Sequence, residues 1–264
     1  MRFGLKSLSG KHPQILPHAM KTKYFIRFLN RIAHFEADLE LADVVAIATD
    51  GGALTTAGGP MLFDAVNAKQ HPRLAARAST AHNRRLAVSH LKATLCASFL
   101  KDIYEDLTAY MQSVLEAAAR NGLDPNRLIG EHKVQLDAND VLAAKTWPGV
   151  VHMVAESVFR RLENEKSTKD VIQKINAKLN LGVSQARVNA ALPYLEMRHL
   201  FVHADGVADN LFCKNFPKFG AKAGTKIALD FSMLRNAKKA VLALVEELDA
   251  KIVVNNVVAA ADLQ

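Results

Sequence analysis

Between Ser79 and Asn121 one apolar stripe runs unbroken, with Val88, Leu91, Leu95, Phe99, Ile103, Leu107, Tyr110 and Val114 recurring at spacings of three and four. Ser79 and Thr80 supply hydroxyls suited to capping its start. Asn121 and Gly122 supply a stop where a left-handed residue is tolerated. A helix of about forty residues is long for a globular protein, whose helices average about three turns. Such a rod cannot satisfy its stripe alone, so it predicts the backbone of a helical bundle or a dimer face.

The rest of the chain supplies partners for that rod. From about Thr22 to Ile47 a second stripe carries Phe25, Phe28, Leu29, Ile32, Phe35, Leu39 and Leu41, ended by Thr49-Asp50-Gly51-Gly52. A short helix is expected from Asn139 to Lys145, broken by Trp147-Pro148-Gly149, with helix resuming from Val150 to Glu163. Ser167-Thr168 caps a segment from Val171 to Leu179, and Ser184 caps one that begins at Gln185. Asp230 opens a last helix whose Leu234, Ala237, Val241, Leu244, Val245, Leu248 and Ile252 share a face. Val253 to Val258 is the one strand-like run, and it reads equally as the end of that helix. The expected fold class is all-α: an antiparallel helical bundle over residues 76–264, with an additional N-terminal helical region over 1–75 of unknown role. Residues 1–19 read as an irregular lead-in. The Gly58-Gly59 pair is followed by Pro60-Met61 rather than by the Lys-Ser/Thr of a phosphate-binding loop, so it reads as a connection.

Composition narrows the function classes. The chain of 264 residues has 34 Lys and Arg against 26 Asp and Glu, a formal charge of +8 that favours an acidic partner such as nucleic acid. Cys96 and Cys213 stand far apart, which excludes a disulfide framework and a cysteine zinc ribbon. No run of 18 uncharged apolar residues occurs, so no membrane partner is expected. The first residues, Met1-Arg2-Phe3-Gly4-Leu5-Lys6, are not followed by an apolar signal region, and a reducing, cytoplasmic setting is the expectation.

The chemistry concentrates between Asn189 and Phe212. Leu195, Leu200, Phe201 and Val202 provide apolar anchoring, Pro193 marks a first turn or a kink, and Gly206 lets the chain leave the helix. Arg198, His199 and His203 therefore fall in the last two turns. At about 100° per residue, Arg198 and His203 stand about 140° apart, whereas His199 and His203 are about 40° apart and share a face. Glu196 lies close to the same face, one turn before His199. One helix end thus carries a permanent bidentate cation and two imidazoles, side chains able to take up and release a proton.

Arg198-His199-Leu200-Phe201-Val202-His203, with a polar residue directly after the arginine and an Ala204-Asp205-Gly206 turn behind, resembles the Rx4–6H signature of HEPN-superfamily ribonucleases. The resemblance covers the helices from about residue 79 to 252. It implies an endoribonuclease that needs no metal or other cofactor. The ribose 2′-hydroxyl attacks the adjacent phosphate, His203 serves as acid/base, Arg198 holds the scissile phosphate, and His199 orients one of them or contacts phosphate. On this pattern Glu196 fixes a ring tautomer or pairs with Arg198. The family's usual solution is a homodimer that faces two motifs across a cleft, and a toxin or antiviral role with an antitoxin or defence-system partner would follow. Lys214 and Lys218 belong to a basic run (Lys214, Lys218, Lys222, Lys226) interleaved with Phe212, Phe216 and Phe219, a mixture that suits RNA but equally a solvated loop with a few core anchors.

Other readings compete. Helix-end histidines are favoured by the C-terminal dipole, and Arg198 has Glu196 within reach. Glu196, His199 and His203 occupy metal-ligand spacing, although Arg198 beside them opposes a cation. A non-catalytic module that binds or dimerises without cutting is the main alternative in function.

Overall fold

In the computed structural model, which describes residues 20–50, 67–78, 80–131, 133–165 and 167–264, the long stripe forms helix α3, Ala81–Arg120. The expected lead-in (1–19), the glycine-bearing loop (51–66) and the candidate cap Ser79 lie outside the described residues. Thr80 does the capping, its hydroxyl accepting the Asn83 amide at 3.2 Å. Gly122, at φ +89°, ends the rod where expected. At 1.5 Å per residue, α3 spans about 60 Å.

Helix α1 (Lys23–Asp50) precedes it, and a single turn, α2 (Pro72–Ala75), lies between them. After α3 come α4 (Pro125–Ile129), α5 (Ala138–Ala143), α6 (Trp147–Glu163), α7 (Thr168–Leu179), α8 (Gln185–His203), α9 (Asn210–Asn215) and α10 (Phe231–Val254). Two 3₁₀ turns, Pro217–Phe219 and Ala260–Asp262, and two isolated bridges complete the architecture, and no strand ladder occurs among the described residues. The fold class is all-α.

Helix α3 is the common partner of α1, α6, α7, α8 and α10. Contacts along α1 run in reverse order along α3: Tyr24 with Arg120, Phe28 with Tyr110, Phe35 with Phe99, Asp43 with Lys92. The two are antiparallel. Helix α10 meets α3 in the same order, Phe231 with Lys92 and Asp249 with Tyr110, so that pair is parallel. Phe25, Phe28, Ile32 and Leu39 of α1 lie in one hydrophobic core with Leu107, Leu195 and Leu244, so α1 is built into the bundle that carries α8.

Two local readings change. Trp147-Pro148-Gly149 separates α5 from α6 but also forms the first turn of α6, because Thr146 caps that turn through the Gly149 amide and proline is tolerated there. Val253 and Val254 belong to α10, and Asn256 at φ +51° turns the chain away, so the strand reading gives way.

A buried polar knot ties the ends of the described chain together. Asp249 on α10 accepts from the Thr22 amide (3.0 Å), the Thr22 hydroxyl (2.6 Å) and the Tyr110 hydroxyl (3.0 Å). Burial pushes the Asp249 carboxyl up against these bonds, and burial together with the nearby carboxylate drives the Tyr110 hydroxyl well up. Beside it, the Lys21 and Gln264 backbones exchange two hydrogen bonds.

Candidate functional site

Helix α8 packs against α3, α7 and α10 through its middle and leaves its first and last turns open. Leu195, Met197 and Leu200 are buried, while His199, Val202 and His203 are exposed and Arg198 is half-buried. The helix ends because Asp205 and Gly206 both adopt positive φ, at +49° and +79°. Glycine is required there on a second count: a Cβ at 206 would collide with the Phe201 ring, which lies over it. The Gly206 amide returns to the Leu200 carbonyl at 3.0 Å, closing the turn.

Arg198 and the histidines diverge as the helical arithmetic requires. The Arg198 guanidinium lies over the ring of Tyr104 on α3, 3.9 Å from its centroid. The stack holds the arginine's plane while leaving its edges free to donate. The His199 and His203 rings are in contact, with centroids 4.6 Å apart and planes tilted by 53°. Arg198, Val202, His199 and His203 together span one side of the helix end.

Glu196 behaves differently from its expected roles. Its Oε1 accepts the Thr168 amide at 3.1 Å, while Ser167 caps the same helix through the Asp170 amide at 3.2 Å. The carboxylate is placed at the N-terminus of α7, where the helix dipole favours it, rather than on an imidazole or on Arg198. With Glu196 so engaged, Glu196, His199 and His203 do not form a metal-holding group, and no group of three such side chains does so among the described residues.

Lys214 ends α9 and Lys218 lies in the first 3₁₀ turn; both are exposed and neither meets a carboxylate among the described residues. The interleaved aromatics face inward. Phe212 contacts Phe216 at 5.1 Å and Phe219 at 5.7 Å, and Phe219 meets Tyr194 of α8 edge-on at 5.8 Å. These rings anchor the basic segment against α8, Phe212 buried and Phe216 and Phe219 half-buried, and Phe212 and Phe216 also border a neighbouring cleft.

Between the start of α7, the flank of α8 and α9 lies an open cleft of about 400 Å³, with His199 on its wall. Its lining includes Lys169, Asn189 and Asn215, which sequence reasoning did not single out, and neither did it single out Tyr104. No local pattern marks them, since each acquires its neighbours from a helix distant in the chain. No helix is long and apolar enough to cross a membrane among the described residues. No protein-family model, curated protein or solved structure matches the chain.

Proposed function

We propose that the chain is a metal-independent endoribonuclease of the kind its Rx4–6H signature resembles, with the end of α8 as its reactive centre. The observation that carries this reading is the joint display, on one open helix end, of a guanidinium seated over the Tyr104 ring and a pair of exposed imidazoles in ring contact. In the reaction the ribose 2′-oxygen forms a bond to the adjacent phosphorus as its proton passes to an imidazole, and the bond to the 5′-oxygen of the next nucleotide breaks as that oxygen receives a proton. The products are a 2′,3′-cyclic phosphate and a free 5′-hydroxyl. Arg198 donates two parallel hydrogen bonds to the phosphate and offsets the charge that builds on the phosphorane. His203 moves the proton, and His199, in ring contact with it, holds its orientation or shares the phosphate. Lys214 and Lys218 add to the field that draws in an RNA backbone.

One helix end supplies few proton carriers, and a second copy facing the first would provide the complementary acid. Exposed Val202, beside the motif, and exposed Leu211, on the neighbouring α9, offer such a homodimer an apolar contact. A toxin or antiviral effector, restrained by an antitoxin or defence-system partner, is the setting this activity fits.

RNA incubated with the purified protein in EDTA is expected to be cut, leaving 2′,3′-cyclic phosphate ends. DNA is expected to survive, because it lacks the nucleophile. His203→Ala should lose at least about a hundredfold in rate, the usual scale for a general acid/base, and keep its helical signal because the side chain is exposed. RNA that is retarded in a gel but never cut, or a His203→Ala variant as active as wild type, would overturn the proposal.

A further inference from the structure

We infer that the cleft beside His199 is a nucleobase pocket, which receives one unstacked base of single-stranded RNA next to the phosphate being cleaved; the inference deepens the ribonuclease reading and rests on it. The cleft's acidic groups and its serine each hold a helix start through one oxygen, Glu196 accepting the Thr168 amide, Asp209 the Phe212 amide and Ser167 the Asp170 amide, and each carboxylate keeps a second oxygen. Each sits at a helix start, where the dipole offsets its charge. Donors stand beside those carboxylate oxygens. The Asn215 amide has no hydrogen bond within the chain among the described residues, and Asn189 accepts from Gln185 with its oxygen and keeps its own NH₂ group. The Lys169 ammonium, exposed and without a carboxylate partner among the described residues, completes them together with the His199 ring.

Beneath these groups the floor is apolar, with buried Leu192 and Leu200. An apolar floor edged by amides, two carboxylates and one ammonium suits a planar ring that carries both donors and acceptors on its edge and is attached to a phosphate. A nucleotide has that chemistry: asparagine amides match base edges, and lysine matches the backbone charge. A sugar or a simple anion would leave the floor uncovered. A volume of about 400 Å³ lies in the range of small-molecule sites, and sequence-specific recognition of RNA works by accommodating bases splayed out of the stack. Because His199 belongs both to the cleft wall and to the His199–His203 pair, a base seated here places its own ribose and phosphate at the motif.

The test uses the full chain and binding without turnover. The four nucleoside 3′-monophosphates and ribose 5-phosphate are titrated separately by calorimetry into wild type, Asn189→Leu and Asn215→Leu, both positions being exposed, with circular dichroism to verify each fold. At least one nucleotide is expected to bind about tenfold tighter than ribose 5-phosphate, the scale of one base contact. Each variant is expected to lose about fivefold for that nucleotide while its ribose 5-phosphate binding stays unchanged. Nucleotides that bind no better than ribose 5-phosphate, or variants that bind them as wild type does, would overturn the pocket. The ribonuclease reading is scored apart, by RNA digestion in EDTA. Cleavage without nucleotide preference removes the pocket alone, and preference without cleavage removes the nuclease alone.

Discussion

Arg198 takes its position from a neighbour that is remote in sequence, and on the proposed function that position is its role. A free arginine side chain samples many rotamers, and ordering it costs entropy of about 2 kcal/mol. The Tyr104 face takes much of that cost before any phosphate arrives. The face, not the hydroxyl, makes the contact. Tyr104→Phe should therefore retain kcat/KM on RNA within about twofold, whereas Tyr104→Leu should lose about tenfold, the equivalent of a cation–π contact of roughly 1.4 kcal/mol. Rescue by phenylalanine separates positioning from a general packing defect. Steady-state cleavage of a labelled RNA with both variants measures it; equal losses would remove the stack from the mechanism. The sequence pattern singled out Arg198, His199 and His203 as candidates, because their relation is internal to one helix. It did not disclose Tyr104, which follows Ile103 on α3 without any mark of its own, nor the engagement of Glu196 with α7.

At the level of elements, capping residues were the most legible signal. Thr80, Ser167 and Asp230 each accept the amide three residues on, an interaction complete within four consecutive residues. Ser184 occupies the same kind of position without capping by its side chain, while its amide donates to Glu247 of α10 at 2.8 Å. That difference depends on where α10 lies, and no local pattern contains it. The end of α8 depends on Gly206 in a comparably local way, with the Phe201 ring as the added constraint. Gly206→Ala should destabilise the protein by about 2–3 kcal/mol, through strain at positive φ and displacement of the ring. Urea denaturation reads this as a lowered midpoint, and RNA cleavage should fall with it because the turn sets how the last turn of α8 ends.

For the molecule as a whole, α1 closes the core against α3, and the final residues return to clasp its start. Asp262 binds Lys23 and accepts from the Tyr24 hydroxyl at 3.0 Å. Burial alone would raise its pKa, but the bonds from Lys23 and Tyr24 outweigh burial and hold the carboxyl below its usual value of 3.8. A depressed folded pKa means that the unfolded chain takes up the proton first. The clasp therefore contributes fully above 3.8 and is lost as pH falls through the lower folded value. Asp262→Asn should lower the urea midpoint at pH 7, and the gap from wild type should narrow as pH falls below 3.8. A gap that is constant with pH would show that the charge of Asp262 contributes nothing.

Helix positions, their caps and the angular spread of Arg198, His199 and His203 follow from interactions three or four residues apart, and these were readable in the order of the amino acids. The all-α class followed from the same short-range periodicity. Which helix covers which face was not readable, because that choice is made by side-chain volume and buried hydrogen bonds between segments far apart in the chain. The parallel run of α10 beside α3, the Asp249 knot, the seat of Arg198 on Tyr104 and the cleft beside His199 all belong to this second kind. Each exists only once the helices have packed.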